Sequence, residues 1–207
     1  MSHHAAIQVD WFGPFSEEAE ARVFAKERKL KKGLYVKIGN KLRQRGTARL
    51  QYIGKSETGL AKRIGPSHHK LPDIVRLTEI WLGEIGSFAI PKEKGFKQDT
   101  AISLAESLHA SYVKKASAGV AFALNEKQTI RETRLTGTVV NHWWNVTDAK
   151  SGDSSEPFAG LTRAPHEWWP YIIDYYGSGY CYQNQDFEPA ARLTWLDGSF
   201  DLVRLSK

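Results

Sequence analysis

Two stretches decide how this chain is read: "GLYVKIG" at 33–39 and "LQYIGKSETGLAKRIG" at 50–65. The first alternates Leu34, Val36 and Ile38 against Tyr35 and Lys37, the period of two of a strand with one apolar face. The second sets Leu50, Tyr52 and Gly54 on one face against Gln51 and Ile53 on the other, so it too predicts a strand. The polar "NKLRQRGT" between them predicts a hairpin with a long basic loop. Further on, "GLAKRIG" starts a helix with Leu60 and Ile64 four apart and Arg63 beside them. Tyr35 and Tyr52 then project close together near the strand ends, with Lys55 and Arg63 behind. Such phenols are either packing groups or the front half of an active site.

The charge distribution bears on that choice. The 207 residues are 41% hydrophobic and 25% charged, an ordinary globular composition with room for one large domain or two small ones. The net charge of +6 conceals a strong asymmetry. Residues 22–63 hold 14 Lys or Arg against Glu27 and Glu57 alone, a net +12, while the rest of the chain holds 15 basic and 21 acidic residues, a net −6. A basic segment in an otherwise acidic protein suits a polyanion, because each neutralised phosphate releases counterions. Lys37, Lys41, Arg43, Arg45 and Arg49 are the candidate phosphate contacts; a solvated lysine-rich surface is the plainer alternative. No run approaches the roughly 18 apolar residues of a membrane span, and the start lacks a signal-peptide pattern, so we expect a soluble cytoplasmic protein. A single cysteine, Cys181, excludes an internal disulfide and a cysteine-based zinc site and reads as buried filler.

The remaining elements follow from periodicity and punctuation. "IQVDWF" predicts a short edge strand, and "SEEAEARVFAKERK" a helix with Ser16 as N-cap, acids in the first turn and lysines in the last. These form an N-terminal extension over 1–29. "GPSHHKLPD" is a break, "IVRLTEIWLGEI" a third strand, and "DTAISLAESLHASYVKKA" a long helix capped at Asp99 or Thr100. Along it Ile102, Glu106, His109 and Val113 fall at steps of four, three and four, so Glu106 shares an inward face with apolar neighbours. A carboxylate there needs either a basic partner or a metal ion. His109 is either a second ligand or a hydrogen-bonded helical histidine.

Taken in order, Gly33-Leu34-Tyr35, Tyr52-Ile53-Gly54 followed by Lys55, then Arg63, Glu106 and Asn125 in "AFALNEK" resemble the GIY-YIG nucleases over about residues 30–127. The hairpin loop is longer and more basic than is usual in that family, Arg63 falls about one residue late, and the interval from Glu106 to Asn125 is stretched. The resemblance implies an α+β module over 30–129, with a small central antiparallel sheet flanked by helices. It also implies hydrolysis of phosphodiester bonds, most naturally in DNA, with Mg²⁺ or Mn²⁺ held by Glu106. Arg63 and Lys55 would contact the scissile phosphate. Tyr35 is the expected base, with Tyr52 an orienting donor, or the reverse. A phenol titrates near pH 10, so lowering it by ~3 units takes roughly 4 kcal/mol of preferential stabilisation. His68, in the loop after Arg63, is a competing base, or simply a loop histidine.

Residues 130–207 are of another kind, carrying five of the seven tryptophans (Trp143, Trp144, Trp168, Trp169 and Trp195) and five of the eight tyrosines. "TGTVVNHWWNV" predicts a strand, "TDAKSGDSSEP" a polar loop, and "LTWLDGSFDLV" a hairpin turning on Asp197 and Gly198. We expect a mainly β accessory region whose aromatics either stack on bases or place one ring of each pair in a core. The leading expectation for the whole chain is a DNA endonuclease. The alternatives are a nucleic-acid-binding module that keeps the fold without catalysis, and an aromatic-rich ligand-binding protein.

Overall fold

The structure, a computed structural model, describes residues 4–65, 74–89, 98–116, 136–146, 172–175, 181–183, 192–196 and 199–203. In chain order these form β1 (His4–Phe15), α1 (Glu18–Glu27), β2 (Gly33–Lys41), β3 (Arg49–Ser56), α2 (Leu60–Arg63), β4 (Ile74–Ala89) and α3 (Gln98–Ala116). Then come β5 (Thr136–Asn145), β6 (Ile172–Tyr175), β7 (Cys181–Gln183), β8 (Arg192–Leu196) and β9 (Ser199–Val203). Seven strands make one sheet in the order β3-β2-β4-β1-β5-β6-β7, while β8 and β9 pair with each other. The class is α+β, as expected. The sheet is mixed rather than a small antiparallel one: β3, β2 and β4 are antiparallel, but the ladder continues through β1, which lies parallel to β5.

The largest correction concerns β1, which is central instead of an edge. Val9 and Trp11 fill one face and Phe12 and Phe15 the other, the two-sided burial of an interior strand. Gln8 and Asp10 interrupt the apolar residues of the strand, and their polar groups are satisfied within the sheet. The Gln8 amide donates to Asp10 Oδ1 at 3.2 Å, Ser87 Oγ donates to Gln8 Oε1 at 3.2 Å, and Trp144 Nε1 donates to Asp10 Oδ1 at 3.2 Å. Strands from 1–29, 30–129 and 130–207 thereby share one ladder.

Helices cover both faces. Under α3, Ile102, Ala105 and Leu108 pack on Leu34, Val36 and Trp143. On the opposite face Tyr35, Leu60, Ile80 and Leu82 pack with Ala21 and Ala25 of α1. The alternation read in β2 is present: Leu34, Val36 and Ile38 enter the first core, while Tyr35 lies in the second. In β3 it breaks, because the register passes from Lys37↔Tyr52 to Ile38↔Leu50 and leaves Gln51 as a bulge. Leu50 consequently shares the core of Ile53 while Tyr52 packs against the other.

The same two-sided cover removes Lys37 from the phosphate contacts. Its side chain is only 1% exposed, and Nζ lies 2.8 Å from Glu18 Oε1 of α1. Burial pushes the ammonium pKa down and Glu18 opposes that shift. The first turn of α1 also differs from expectation: Glu17 occupies the N-cap position, and Ser16 Oγ donates to Glu20 Oε2 at 3.2 Å.

His109 is a core residue of α3 and no ligand. Trp11 Nε1 donates to Asn141 Oδ1 at 2.8 Å, and His109 Nε2 lies 2.8 Å from that same oxygen. Nδ1 lies 2.7 Å from the Ala105 carbonyl oxygen, and the Trp11 ring meets the imidazole edge-on at 5.5 Å. The two tail tryptophans on β5 divide as a packing pair. Trp143 stacks on Trp11 in the core, and half-buried Trp144 stacks on Phe12 across the sheet. Trp195 lies on β8, which pairs antiparallel with β9; Asp197 and Gly198, the expected turn, lie outside the described residues. Trp168, Trp169 and the 147–157 stretch lie outside the described residues.

Two outcomes follow from this buried junction. Asn141→Ala strands a buried indole N–H and a buried imidazole, and should cost about 2–4 kcal/mol in urea unfolding with an unchanged m value. Burial also lowers the His109 pKa. Between its unfolded value near 6.5 and that lower folded value, the unfolded chain binds the extra proton, so stability should fall as pH drops. A His109→Gln protein should lose that portion of the pH dependence.

Candidate active site at the edge of β3

The site is built around β3, the strand at one end of the sheet. Two glycines make the assembly possible. A Cβ on Gly33 would lie 2.3 Å from the Gly83 carbonyl oxygen of the neighbouring β4. A Cβ on Gly54 would meet the Tyr52 ring at 2.5 Å and the Tyr35 hydroxyl at 2.6 Å. Tyr35 stands opposite Gly54 in the ladder, so the missing side chain is the space into which both phenols lean. Their ring centroids are 5.6 Å apart at an interplanar angle of 37°.

Tyr35 is fully buried, and its hydroxyl is hydrogen-bonded to Tyr52 and receives the Arg63 guanidinium. Burial pushes the Tyr35 phenol pKa far up, Tyr52 adds to the rise and Arg63 opposes it. Tyr52 is half-buried on the outer side of the pair. Arg63 is presented by the single turn α2, which is pinned by buried Leu60 and Ile64. The Gly59 N–H donates to Ser56 Oγ at 3.1 Å and the Leu60 N–H to the Leu30 carbonyl at 3.4 Å, which fixes where the turn begins. Arg63 itself remains exposed.

Lys55 and Glu106 complete the group where α3 crosses β3. Lys55 Nζ donates to Ser103 Oγ and to Glu57 Oε1, each at 2.6 Å. The Lys55 main-chain N–H donates to the Glu106 carboxylate, using a group that an edge strand leaves free of a ladder partner on its outer side. Burial raises the Glu106 pKa; Lys55 and Arg63 counter that rise, and Glu57 adds to it. Tyr35, Tyr52, Lys55, Arg63 and Glu106 thus form one cluster, although 71 positions separate the first from the last.

The other candidates fall elsewhere. His68 and Asn125 lie outside the described residues. Lys41 is half-buried and Arg43 and Arg45 are exposed at the far end of the β2–β3 hairpin, about 20 Å along the strand from Tyr35, while exposed Arg49 pairs with Gly39, about 13 Å along it. Two site residues escaped the sequence reading. Ser103 precedes Glu106 by three and so shares its helix face, a spacing that would have revealed it. Glu57 stood out only as one of two acids in a basic segment.

Among the described residues no three or more His, Cys, Asp or Glu side chains gather to hold an ion by themselves. Mg²⁺ asks for less, taking one or two carboxylates and completing its shell with water and substrate phosphate. Glu106, with Glu57 in its field, has that hard-oxygen chemistry. No protein-family model matches this chain, and no curated protein or solved structure matches it.

A half-buried carboxylate with a raised pKa lowers stability when ionised, because the folded state holds the proton more tightly than the unfolded one as pH rises through that window. Glu106→Gln should therefore leave the melting temperature at pH 7 unchanged or raise it by up to about 2–4 °C, the shift expected from about 1 kcal/mol in a chain of this size. Solvent screening at a half-buried site keeps the gain at or below that. A fall of similar size would make Glu106 a stabilising ion-pair partner instead.

Proposed function

We propose that this chain is a metal-dependent endonuclease of GIY-YIG type that hydrolyses phosphodiester bonds in DNA. The observation that carries the proposal is the cluster of two phenols, a guanidinium, an ammonium and a half-buried carboxylate around the edge of β3. The antiparallel trio β3-β2-β4, with α2 and α3, falls within residues 30–129, the stretch over which the resemblance to that family runs, and supports this reading. No helix among the described residues is long and apolar enough to cross a membrane.

The residues divide the chemistry as follows. Exposed Arg63 grips the non-bridging oxygens of the scissile phosphate through two parallel N–H donors. Lys55 exchanges its Glu57 contact for a phosphate oxygen. Glu106 would hold Mg²⁺ or Mn²⁺, which when bound supplies positive charge to the reacting phosphate and the departing oxygen. Burial makes Tyr35 the poorer base of the two phenols, since it favours the neutral hydroxyl. Tyr35 is therefore assigned the orienting role, and Tyr52, on the outer side, the activation of the attacking water. That reverses the preference drawn from the sequence. The aromatic-ligand alternative loses support because Trp143 and Trp144 both use their rings in packing.

Incubation with supercoiled plasmid should give nicks with Mg²⁺ or Mn²⁺ and none with chelator, and Glu106→Ala should abolish them. Binding without any cutting would favour the non-catalytic module. Tyr52→Phe should cut about 10²–10⁴-fold more slowly, the usual contribution of a general base. Because burial raises the Glu106 pKa in the metal-free site, protons should compete with the cation there, and the Mg²⁺ concentration needed for nicking should rise as pH falls.

A further inference from the structure

The tip of the β2–β3 hairpin carries an exposed leucine on a braced, strained turn, an arrangement that the site chemistry leaves unexplained. Leu42 is 71% exposed, the most open of the large apolar side chains described, and Val75 is 50% exposed on β4. The register Lys41↔Ile74 brings the start of β4 beside the tip. The Gln44 N–H donates to the Lys41 carbonyl at 3.0 Å, closing a turn with Leu42 and Arg43 at its centre. Arg43 has φ +68°, a conformation that glycine adopts freely and a long L side chain does not. Strain at a surface position is a reason to look for a role.

The turn is also held rigidly from below. Gln44 Oε1 accepts from the Lys41 N–H at 3.0 Å and from Gln51 Nε2 at 2.8 Å, and the same Gln51 amide reaches the Gly39 carbonyl at 2.8 Å. Asn40 Nδ2 donates to the Gly46 carbonyl at 3.2 Å. Gln51 is the buried bulge residue of β3, so the bulge that broke the alternation is the brace of the tip. Exposed Arg43 and Arg45 flank Leu42 in the tip, exposed Arg76 stands opposite Asn40 and exposed Arg49 opposite Gly39 on the strands below it, and the sequence has no acid from residue 28 to residue 56. An apolar point rimmed by guanidinium groups suits a base step between two phosphates. A freely swinging loop would not hold such a point out.

Resting on the nuclease reading above, we propose that Leu42 is a wedge that inserts between base steps of duplex DNA, with the surrounding arginines on the flanking phosphates. The wedge bends the duplex and sets where it lies along the β3 edge. Seven residues of strand separate Tyr35 from Leu42, about 23 Å, which matches about six or seven base pairs of duplex. The unstacked step should lie at that offset from the cut phosphate.

The test uses the full-length Glu106→Ala protein on a duplex with 2-aminopurine placed at successive steps and a dye pair at its ends. Wild-type protein maps the cut. Fluorescence should rise at one step six or seven base pairs from the cut, together with a bend. Leu42→Ala should abolish both and weaken binding about 10-fold, with its melting temperature unchanged because the side chain is exposed. Arg45→Gln should instead weaken binding to all sequences alike and lower the salt slope by about one. Cutting by the wild type with no fluorescence rise, or a rise that Leu42→Ala keeps, overturns the wedge. It is equally overturned if Leu42→Ala acts by abolishing self-association in sedimentation or binding to phosphatidylserine vesicles. A wild type that unstacks DNA but never cuts supports the wedge and refutes the nuclease reading, so the two failures are distinguishable.

Discussion

The rest of the structure depends on one buried oxygen, Oδ1 of Asn141. It accepts the Trp11 indole N–H of the central strand and lies 2.8 Å from His109 Nε2 of α3, joining β1, β5 and the helix in a region closed to solvent. Polar groups in such a place are costly unless paired, so the junction disfavours other placements of the three elements. It fixes the rotation and position of α3 on the sheet. Glu106 is three residues before His109 and on the same side of the helix, so fixing one directs the other toward the edge of β3. A helix held by apolar contacts alone could slide or roll; this one is pinned by a directional contact.

The site is placed where a sheet ends, and that location explains its composition. An edge strand has main-chain N–H groups without ladder partners, and the one on Lys55 serves the Glu106 carboxylate. It also allows groups from both faces to meet: the phenols and Arg63 come from the layer of α1 and α2, while Ser103 and Glu106 come from α3. Gly54 is the residue around which they close. Burial pushes both Tyr35 and Glu106 toward their neutral forms, and Arg63 acts against both shifts. The guanidinium is therefore the electrostatic link between the halves of the site, well suited to exchange internal partners for a phosphate.

Where sequence reading and structure part, the cause is tertiary cover. Lys37 alternates with apolar neighbours as a surface lysine would, yet α1 covers that face and Glu18 meets its ammonium. β1 carries Gln8 and Asp10 like an edge strand, yet Ser87 and Trp144, far off in the chain but on the two flanking strands, satisfy them. Leu50 changes face because one residue, Gln51, bulges, and a period-two pattern cannot reveal which residue will do so. In each case the decisive partner lies far away in the chain.

The sequence by itself determined the local elements: the strands β2 and β3 with the alternation of β2, the helical start that presents Arg63, and the face of α3 that carries Glu106 and His109. It also determined the order of Tyr35, Tyr52, Lys55, Arg63 and Glu106, because periodicity and spacing are properties of short stretches. Only the tertiary structure decided that β1 lies in the middle of a mixed sheet, that Lys37 is buried, and that Tyr35 is the sealed phenol and Tyr52 the open one. The physical reason is that burial belongs to an assembly of surfaces. Whether a polar side chain finds water or a partner depends on which element packs over it, and no neighbouring residue in the chain carries that information.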